Sequence, residues 1–144
     1  MKKVAFLFSM IVCFFTSCTT GKGLVDYTEA RNYFHRNDAT IPQDLKITSQ
    51  AEFDKQFSAA AFMGEKGKVT KIDFSKEFVI AKVLPVTDKE TILKPIRLVE
   101  NGKDKLQLFY SLKEGKQQSY FTQPMFILIV GNKYKSYSIQ EVAK

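Results

Sequence analysis

The sequence has few of the residues that most often carry catalysis or bind metals. Its 144 residues include two cysteines, Cys13 and Cys18, one histidine, His35, and no tryptophan. A hydrolytic triad would need His35 as its base, but no Gly-x-Ser-x-Gly turn supplies a matching nucleophile. Zinc sites usually combine several Cys and His ligands, and such a set is missing here. The sequence therefore predicts no catalytic residue and no metal site, and it leaves His35 as a packed or surface residue.

Other sources of chemistry are equally sparse. The chain contains no glycine-rich phosphate-binding loop and no cofactor motif. Asp88 and Glu90 could offer oxygen ligands, but a solvated pair in a charged turn is the ordinary interpretation. Paired carboxylates that meet only in the folded protein stay open as a catalytic alternative. On balance we predict a protein that is not an enzyme and that has no cofactor.

The N-terminal residues form a targeting segment. Lys2 and Lys3 precede the apolar stretch Val4 to Phe15, which is shorter than the roughly 20 residues of a membrane-spanning helix. The following residues, Phe15-Thr16-Ser17-Cys18, resemble the lipobox of bacterial lipoproteins. That resemblance implies cleavage before Cys18 and lipidation of its thiol. An ordinary secretory signal and an uncleaved anchor are the alternatives.

The predicted processing divides the chain into three parts. Residues 1–17 are a lipoprotein signal peptide, 18–29 are the lipidated cysteine with a flexible tether, and 30–144 are a single globular β-rich domain. The residues after Cys18 lack the aspartate that retains many lipoproteins at the inner membrane, and they lack the acidic cluster of surface lipoproteins. The resemblance thus implies a cell-envelope protein on the outer membrane, facing the periplasm.

The chain is basic, with 22 lysines and arginines against 15 acidic residues. Loss of Lys2 and Lys3 with the signal peptide leaves 20 against 15, a side-chain charge of about +5. Such an excess could hold the domain near anionic lipid head groups, although a solvated lysine-rich surface is the simpler explanation. No compact basic run with interleaved aromatics occurs, so we expect no nucleic-acid partner.

The fold is organised around the apolar run Phe78 to Leu84. Its length and its β-branched residues indicate a strand, and the near-absence of polar residues predicts burial on both faces. Ser49 and Glu52 form a capping box before an apolar stripe that ends at Gly64, which predicts one principal helix. Asn101-Gly102 predicts a β-hairpin. We therefore expect an α+β fold, a mostly antiparallel sheet or sandwich with that helix packed against it.

Several strand boundaries follow from the same patterns. Pro95 predicts an edge or bulged strand in the first arm of the hairpin. Polar residues predict a turn over 87–90 and a loop over 113–118, and the apolar run 125–130 predicts a second buried strand.

Aromatic residues beside basic ones are the best candidates for a binding surface. In Tyr120-Phe121, adjacent strand residues face opposite ways, so we expect one ring in the core and the other exposed. An exposed tyrosine near a cation is a common anchor in protein interfaces. The alternative is that these aromatics line the core or cover a sheet edge. The candidate partner contacts are Tyr33, Arg36, Tyr120, Phe121, Lys133 and Tyr134.

Two runs carry a family resemblance. Ile47-Thr48-Ser49 with Glu52-Phe53, and the run Ile72 to Ala81, resemble the PrcB-like family, named for a protease-complex subunit. Asn32-Tyr33-Phe34, Met63-Gly64, Ser119-Tyr120 and Lys133-Tyr134 are similar to a group of small uncharacterised envelope lipoproteins. The PrcB-like turn after the central strand is replaced here by Thr87-Asp88-Lys89-Glu90-Thr91. The resemblance implies an α+β, mostly antiparallel domain and supplies no catalytic residue. The lipobox, the candidate contact residues and the missing catalytic set predict a non-enzymatic, lipid-anchored protein-binding module, with an exported protease as a candidate partner. A binder of an anionic or small-molecule envelope ligand is the alternative function.

Overall fold

The computed structural model describes residues 23–60 and 67–144 of the chain. The signal peptide, Cys18 and the Met63-Gly64 pair lie outside these residues. Within them the fold is α+β and mostly antiparallel, with ten strands, one short α-helix and a 3-10 turn at Asn132–Tyr134. The elements, in chain order, are β1 Leu24–Val25, β2 Thr28–Glu29, β3 Tyr33–His35, β4 Lys46–Ile47, α1 Gln50–Gln56, β5 Phe57–Ala59, β6 Glu77–Val83, β7 Thr87–Glu100, β8 Lys105–Thr122, β9 Met125–Gly131 and β10 Ser138–Ala143.

The strands of the described residues form three sheets. The first sheet has the order β1-β7-β8-β10, the second has the order β2-β9-β6-β4, and β3 pairs with β5 in a third. All pairings are antiparallel except that of β10 with β8, which is parallel. The prediction of mostly antiparallel β structure is therefore confirmed.

Strand β6 lies inside the second sheet and is covered on both faces, as its apolar run predicted. On one face Phe78 and Ile80 join a hydrophobic cluster that also contains Leu98, Leu106 and Leu108 from the first sheet. On the other face Val79, Ala81 and Val83 share a cluster with Phe53 of α1 and Phe57 of β5. Strand β9 contributes to both clusters in the same alternating way. We call β6 and β9 the inner pair.

The helix begins where the sequence indicated but ends early. The Ser49 hydroxyl accepts a hydrogen bond from the Glu52 amide at 3.2 Å, and the Glu52 carboxylate accepts one from the Thr48 amide at 3.0 Å. The apolar stripe predicted helix beyond Phe57, but Phe57 has extended backbone angles and starts β5. Pairing of β5 with the distant strand β3 replaces the helical hydrogen bonds, so the stripe marks burial without helical geometry.

The ordered β structure also begins earlier than the sequence indicated. The predicted tether, residues 18–29, overlaps β1 and β2. Leu24–Val25 pairs with Val99 and Leu98, and Thr28–Glu29 pairs with β9. Val25 is 4% exposed and belongs to the cluster between the sheets, which explains why this glycine-flanked segment is held in place.

The hairpin β7–β8 is longer than predicted. The turn after Glu100 is present, with Gly102 at a φ of 72° and Asp104 at 57°, so Asp104 rather than Asn101 shares the left-handed conformation with the glycine. The register shifts between Pro95 and Arg97, as expected for a bulged strand. The turn predicted over 87–90 and the loop predicted over 113–118 are instead parts of β7 and β8, because each pairs with the other strand.

No helix among the described residues is long and apolar enough to cross a membrane.

Candidate functional site

Residues 87–96 of β7 and 110–122 of β8 form a two-stranded extension that we call the outer ribbon. Strand β1 pairs only with Leu98 and Val99 of β7, and β10 pairs with β8 only over residues 105–110. Within the described residues, Tyr110 at the start of the ribbon pairs with Ala143 of β10, and the rest of the outer ribbon has no further strand on either side. None of its residues is fully buried.

The outer ribbon changes register sharply at one end, and we call this end the bend. Thr87 pairs with Thr122, whereas Thr91 pairs with Glu114, so β8 spans twice as many residues as β7 over the same stretch. Extra residues in one strand bend and twist an antiparallel pair. Leu84 and Pro85 before the bend and Leu112 after it line one hollow of about 290 Å³. The ribbon therefore folds over where it passes from the second sheet to the first.

Tyr120 and Phe121 lie in the extra residues of β8 at the bend, and both are exposed, by 59% and 74%. The prediction that one of the two rings belongs to the core is wrong. The alternation of strand residues places neighbours on opposite faces, but here neither face is covered by another layer. Two large, exposed aromatic rings that are adjacent in the chain can contact a partner without a change of fold.

Most of the large hydrophobic side chains that reach solvent are found on or beside the outer ribbon. Six of the nine exposed large hydrophobic residues in the described chain belong to this region. Scattered exposed hydrophobic residues are normal on protein surfaces, but a group on one element marks an interaction site. Apart from Tyr120 and Phe121, the sequence did not single them out: they are Val86, Ile92, Ile96 and Leu112.

The other candidate residues near the N-terminal part of the domain have structural partners. The Tyr33 hydroxyl donates to the Thr70 carbonyl at 2.7 Å, and its ring meets Phe53 edge-on at 5.0 Å. Burial, with a smaller contribution from the Asp54 charge, raises the pKa of Tyr33. Arg36 binds both carboxylate oxygens of Asp38, at 2.9 and 2.8 Å, and this hydrogen bonding lowers the pKa of Asp38.

Lys133 and Tyr134 lie at a different end of the molecule. The Lys133 ammonium is 5.0 Å from the Tyr134 ring centroid. Tyr134 packs against the cluster between the sheets, whereas Tyr33 packs against the cluster on the other face of the inner pair. The structure therefore pairs Lys133 with Tyr134 and places Tyr120 beside Phe121, but it does not gather the six candidates into one surface.

His35 is a core residue. It is 5% exposed, its Nε2 lies 3.2 Å from the Gln56 side-chain oxygen, and its ring meets Phe57 edge-on at 5.8 Å. These contacts fix the pairing of β3 with β5. Within residues 23–60 and 67–144, no three His, Cys, Asp or Glu side chains come close enough to hold a metal ion.

A groove between α1 and the loop before β4 is a second concave feature of the described residues. Its volume is about 530 Å³, and its walls include Asp44, Lys46, Glu52 and Lys55. The Lys46 ammonium already donates to the backbone carbonyls of Lys135 and Tyr137. With charges of both signs on its walls, the groove offers little selectivity for an anion.

No family model matches this chain, and no curated protein or solved structure matches it either.

Proposed function

We propose that this is a non-enzymatic, lipid-anchored protein of the bacterial cell envelope that binds another protein through the bend of its outer ribbon. The observation that supports this most directly is the exposure of Tyr120 and Phe121, which are adjacent in the chain, at the bend of the outer ribbon. The anchor is the lipidated Cys18 that the lipobox predicts, at an outer membrane facing the periplasm.

Protein interfaces draw most of their binding energy from a few aromatic and arginine side chains. Phe and Tyr each bury about 150–250 Å² when fully covered. Tyr120 and Phe121 belong to β8 and lie between its paired residues Gln117 and Thr122, so binding does not require a disordered segment to fold. Val86, in the connection that leads into the bend, is 60% exposed and adds to the apolar surface of this region.

Side-chain contact fits the bend better than addition of a partner strand. A long open edge invites strand pairing, and proteins resist this with lysines, prolines and bulges. The free edge of β7 carries Lys94 and Pro95, and its register shifts between Pro95 and Arg97. These features protect the ribbon from self-association and leave the aromatic rings as the binding element.

The resemblance to the PrcB-like family suggests an exported protease as the first partner to test. His35 supports a non-catalytic role for the chain, because burial and the contact with Gln56 hold its ring within the core. The balanced charges of the groove beside α1 favour this proposal over binding of a small anion.

Affinity capture from detergent-solubilised envelope tests the proposal. We would compare the lipidated wild-type protein with the double variant Tyr120→Ser/Phe121→Ser. Phe34→Ser is a matched control, because Phe34 is 45% exposed but lies on β3, away from the bend. We expect a partner whose recovery falls at least about tenfold in the double variant, as for a central anchor, and is unchanged in the control. Equal recovery in all three proteins would contradict the proposal.

Anchoring needs its own measurement. Mass spectrometry of the purified protein should find a lipid-modified Cys18 at the new N-terminus. An unmodified thiol there, or an attached signal peptide, would contradict the anchor and leave the test of the bend unaffected.

A further inference from the structure

The short connection between Cys18 and the ordered domain restricts how the domain sits on a membrane. If Cys18 carries the anchor, as proposed above, five residue steps separate it from Gly23. A fully extended chain of that length spans at most about 17 Å, whatever conformation it adopts. Gly23 must therefore stay within that distance of the lipid head groups.

Gly23 lies at one end of the domain, opposite the bend. Its carbonyl accepts a hydrogen bond from the Glu100 amide at 2.5 Å, where β7 ends. The Ser138 amide donates to the Asp104 carbonyl at 2.9 Å, so the start of β10 belongs to the same end. We call this the anchor end: it includes the hairpin turn after Glu100, the start of β6, and the segment from Gly131 to Ser138.

The anchor end is rich in exposed lysines. Its acidic residues are Asp73, Glu77, Glu100 and Asp104, and the Asp73 carboxylate lies 3.7 Å from the Lys76 ammonium. Glu100 is already engaged, because the Tyr137 hydroxyl donates to its carboxylate at 3.1 Å, and this hydrogen bond raises the pKa of Tyr137. Exposed lysines attract anionic head groups within a Debye length of about 8 Å. The exposed lysines are Lys76, Lys103, Lys105, Lys133 and Lys135.

From the length of the connection between Cys18 and Gly23 and from these charges, we infer that the anchor end rests on an anionic lipid surface and that the bend points away from it. Strand β7 runs nine residues from Thr91 to Glu100, a distance of about 30 Å at the usual rise of a strand. Tyr120 and Phe121 are then held clear of the bilayer, where a protein in the aqueous compartment can reach them. Lys133 and Tyr134 belong to the membrane-facing end, not to the protein-binding surface.

Single-cysteine labelling tests this orientation. The sequence has no cysteine besides Cys13, in the predicted signal peptide, and the anchored Cys18, so an introduced thiol is labelled alone. Lys103→Cys reports on the anchor end and Gln117→Cys on the bend, and both positions are exposed. The lipidated proteins are placed on vesicles of phosphatidylcholine with phosphatidylglycerol, and a nitroxide on the lipid head group quenches the attached fluorophore at short range.

We expect quenching at 103 to exceed that at 117 at least about threefold, given the 17 Å and 30 Å separations. Equal quenching, or stronger quenching at 117, would overturn the orientation while leaving the anchor intact. Failure of the protein to float with the vesicles would overturn the anchor itself, and the orientation with it.

A charge-reversal variant tests the lysines. In Lys133→Glu/Lys135→Glu, carrying the label at 103, we expect quenching to fall on vesicles with phosphatidylglycerol and to change little on phosphatidylcholine alone, because only the former attracts lysine. If the variant is quenched as strongly as the parent on both kinds of vesicle, the short connection to Cys18 alone sets the orientation, and the proposed attraction between the lysines and anionic lipid is overturned. Thermal unfolding of each labelled variant checks that the fold is retained.

Discussion

The inner pair and the outer ribbon are both antiparallel strand pairs, but only the inner pair has both faces covered. In β6 and β9 alternate residues enter two different hydrophobic clusters, and the register is constant from Glu77 to Val83. In the outer ribbon the register shifts three times along β7, and Tyr120 and Phe121 remain exposed. The inner pair thus stabilises the fold, whereas the outer ribbon is free to serve binding.

Truncation in the inner pair should produce the largest loss of stability. Phe78 is fully buried between the two sheets. We expect Phe78→Ala to lower the free energy of unfolding by about 3–5 kcal/mol, because contacts are lost and a cavity remains. Urea unfolding followed by circular dichroism measures this. A loss below about 1 kcal/mol, the range of ordinary substitutions, would contradict the claim that the inner pair stabilises the fold more than the outer ribbon does.

Two ion pairs allow the same chemistry to be compared in both regions. Lys82 of β6 binds Glu141 at 2.5 Å with its side chain 14% exposed, whereas Lys89 and Glu114 of the outer ribbon are 3.8 Å apart and more than half exposed. We expect Glu141→Gln to cost about 1–2 kcal/mol, since it weakens a shielded charged hydrogen bond. Glu114→Gln should cost less than about 0.5 kcal/mol. Equal costs in urea unfolding would contradict the comparison.

The turn that leads into β6 should make stability fall in acid. The Asp73 carboxylate accepts hydrogen bonds from the Ser75 hydroxyl and amide, and these, with the hydroxyl contributing most, lower its pKa from the ordinary 3.8. A lowered folded-state pKa stabilises the fold above the ordinary value, and that contribution is lost as pH falls through the folded-state value. We therefore expect the urea midpoint to drop below about pH 4.

Asp73→Asn removes this titration and is the matching control. Its urea midpoint should be lower than that of the parent at neutral pH and should fall less in acid. Identical pH profiles for the two proteins would contradict a role for Asp73.

The smallest effect on stability should come from the bend. Phe121 is 74% exposed, so Phe121→Ala should change the free energy of unfolding by no more than about 0.5 kcal/mol. Urea unfolding beside the Phe78 variant provides the comparison. A loss above about 2 kcal/mol would show that the Phe121 ring stabilises the fold. Its exposure would then no longer support the bend as a binding surface.

The sequence predicted the inner pair well because a short, nearly continuous apolar run is typical of a strand that is buried on both faces. The same signal misplaced the end of the helix, since Phe57 is buried in β5 as it would have been in a helix, and only its pairing with β3 decides between them. Hydrophobic spacing reports burial, and long-range pairing then selects the backbone geometry.

Only part of the outer ribbon was predictable from the sequence. The hairpin signal at Asn101-Gly102 predicted the start of the β7–β8 pair, but the segments 87–90 and 113–118 were predicted as a turn and a loop. Residues 113–117 are exposed, and a strand segment with no buried face has no alternation of apolar and polar residues, so the lysines and the glycine there predict a loop. The exposure of both Tyr120 and Phe121 depends on the extra residues that β8 places at the bend. Adjacent aromatics among polar residues indicated the right segment, but the missing outer layer is a property of the whole fold.

Photo-crosslinking in living cells tests the central claim most directly. A photoreactive phenylalanine analogue is placed at Phe121 and, as a control, at Lys55, which is exposed on α1. We predict one discrete crosslinked protein from position 121 and none of that size from position 55. No crosslink from position 121, or the same product from both positions, would contradict the bend as the partner-binding surface.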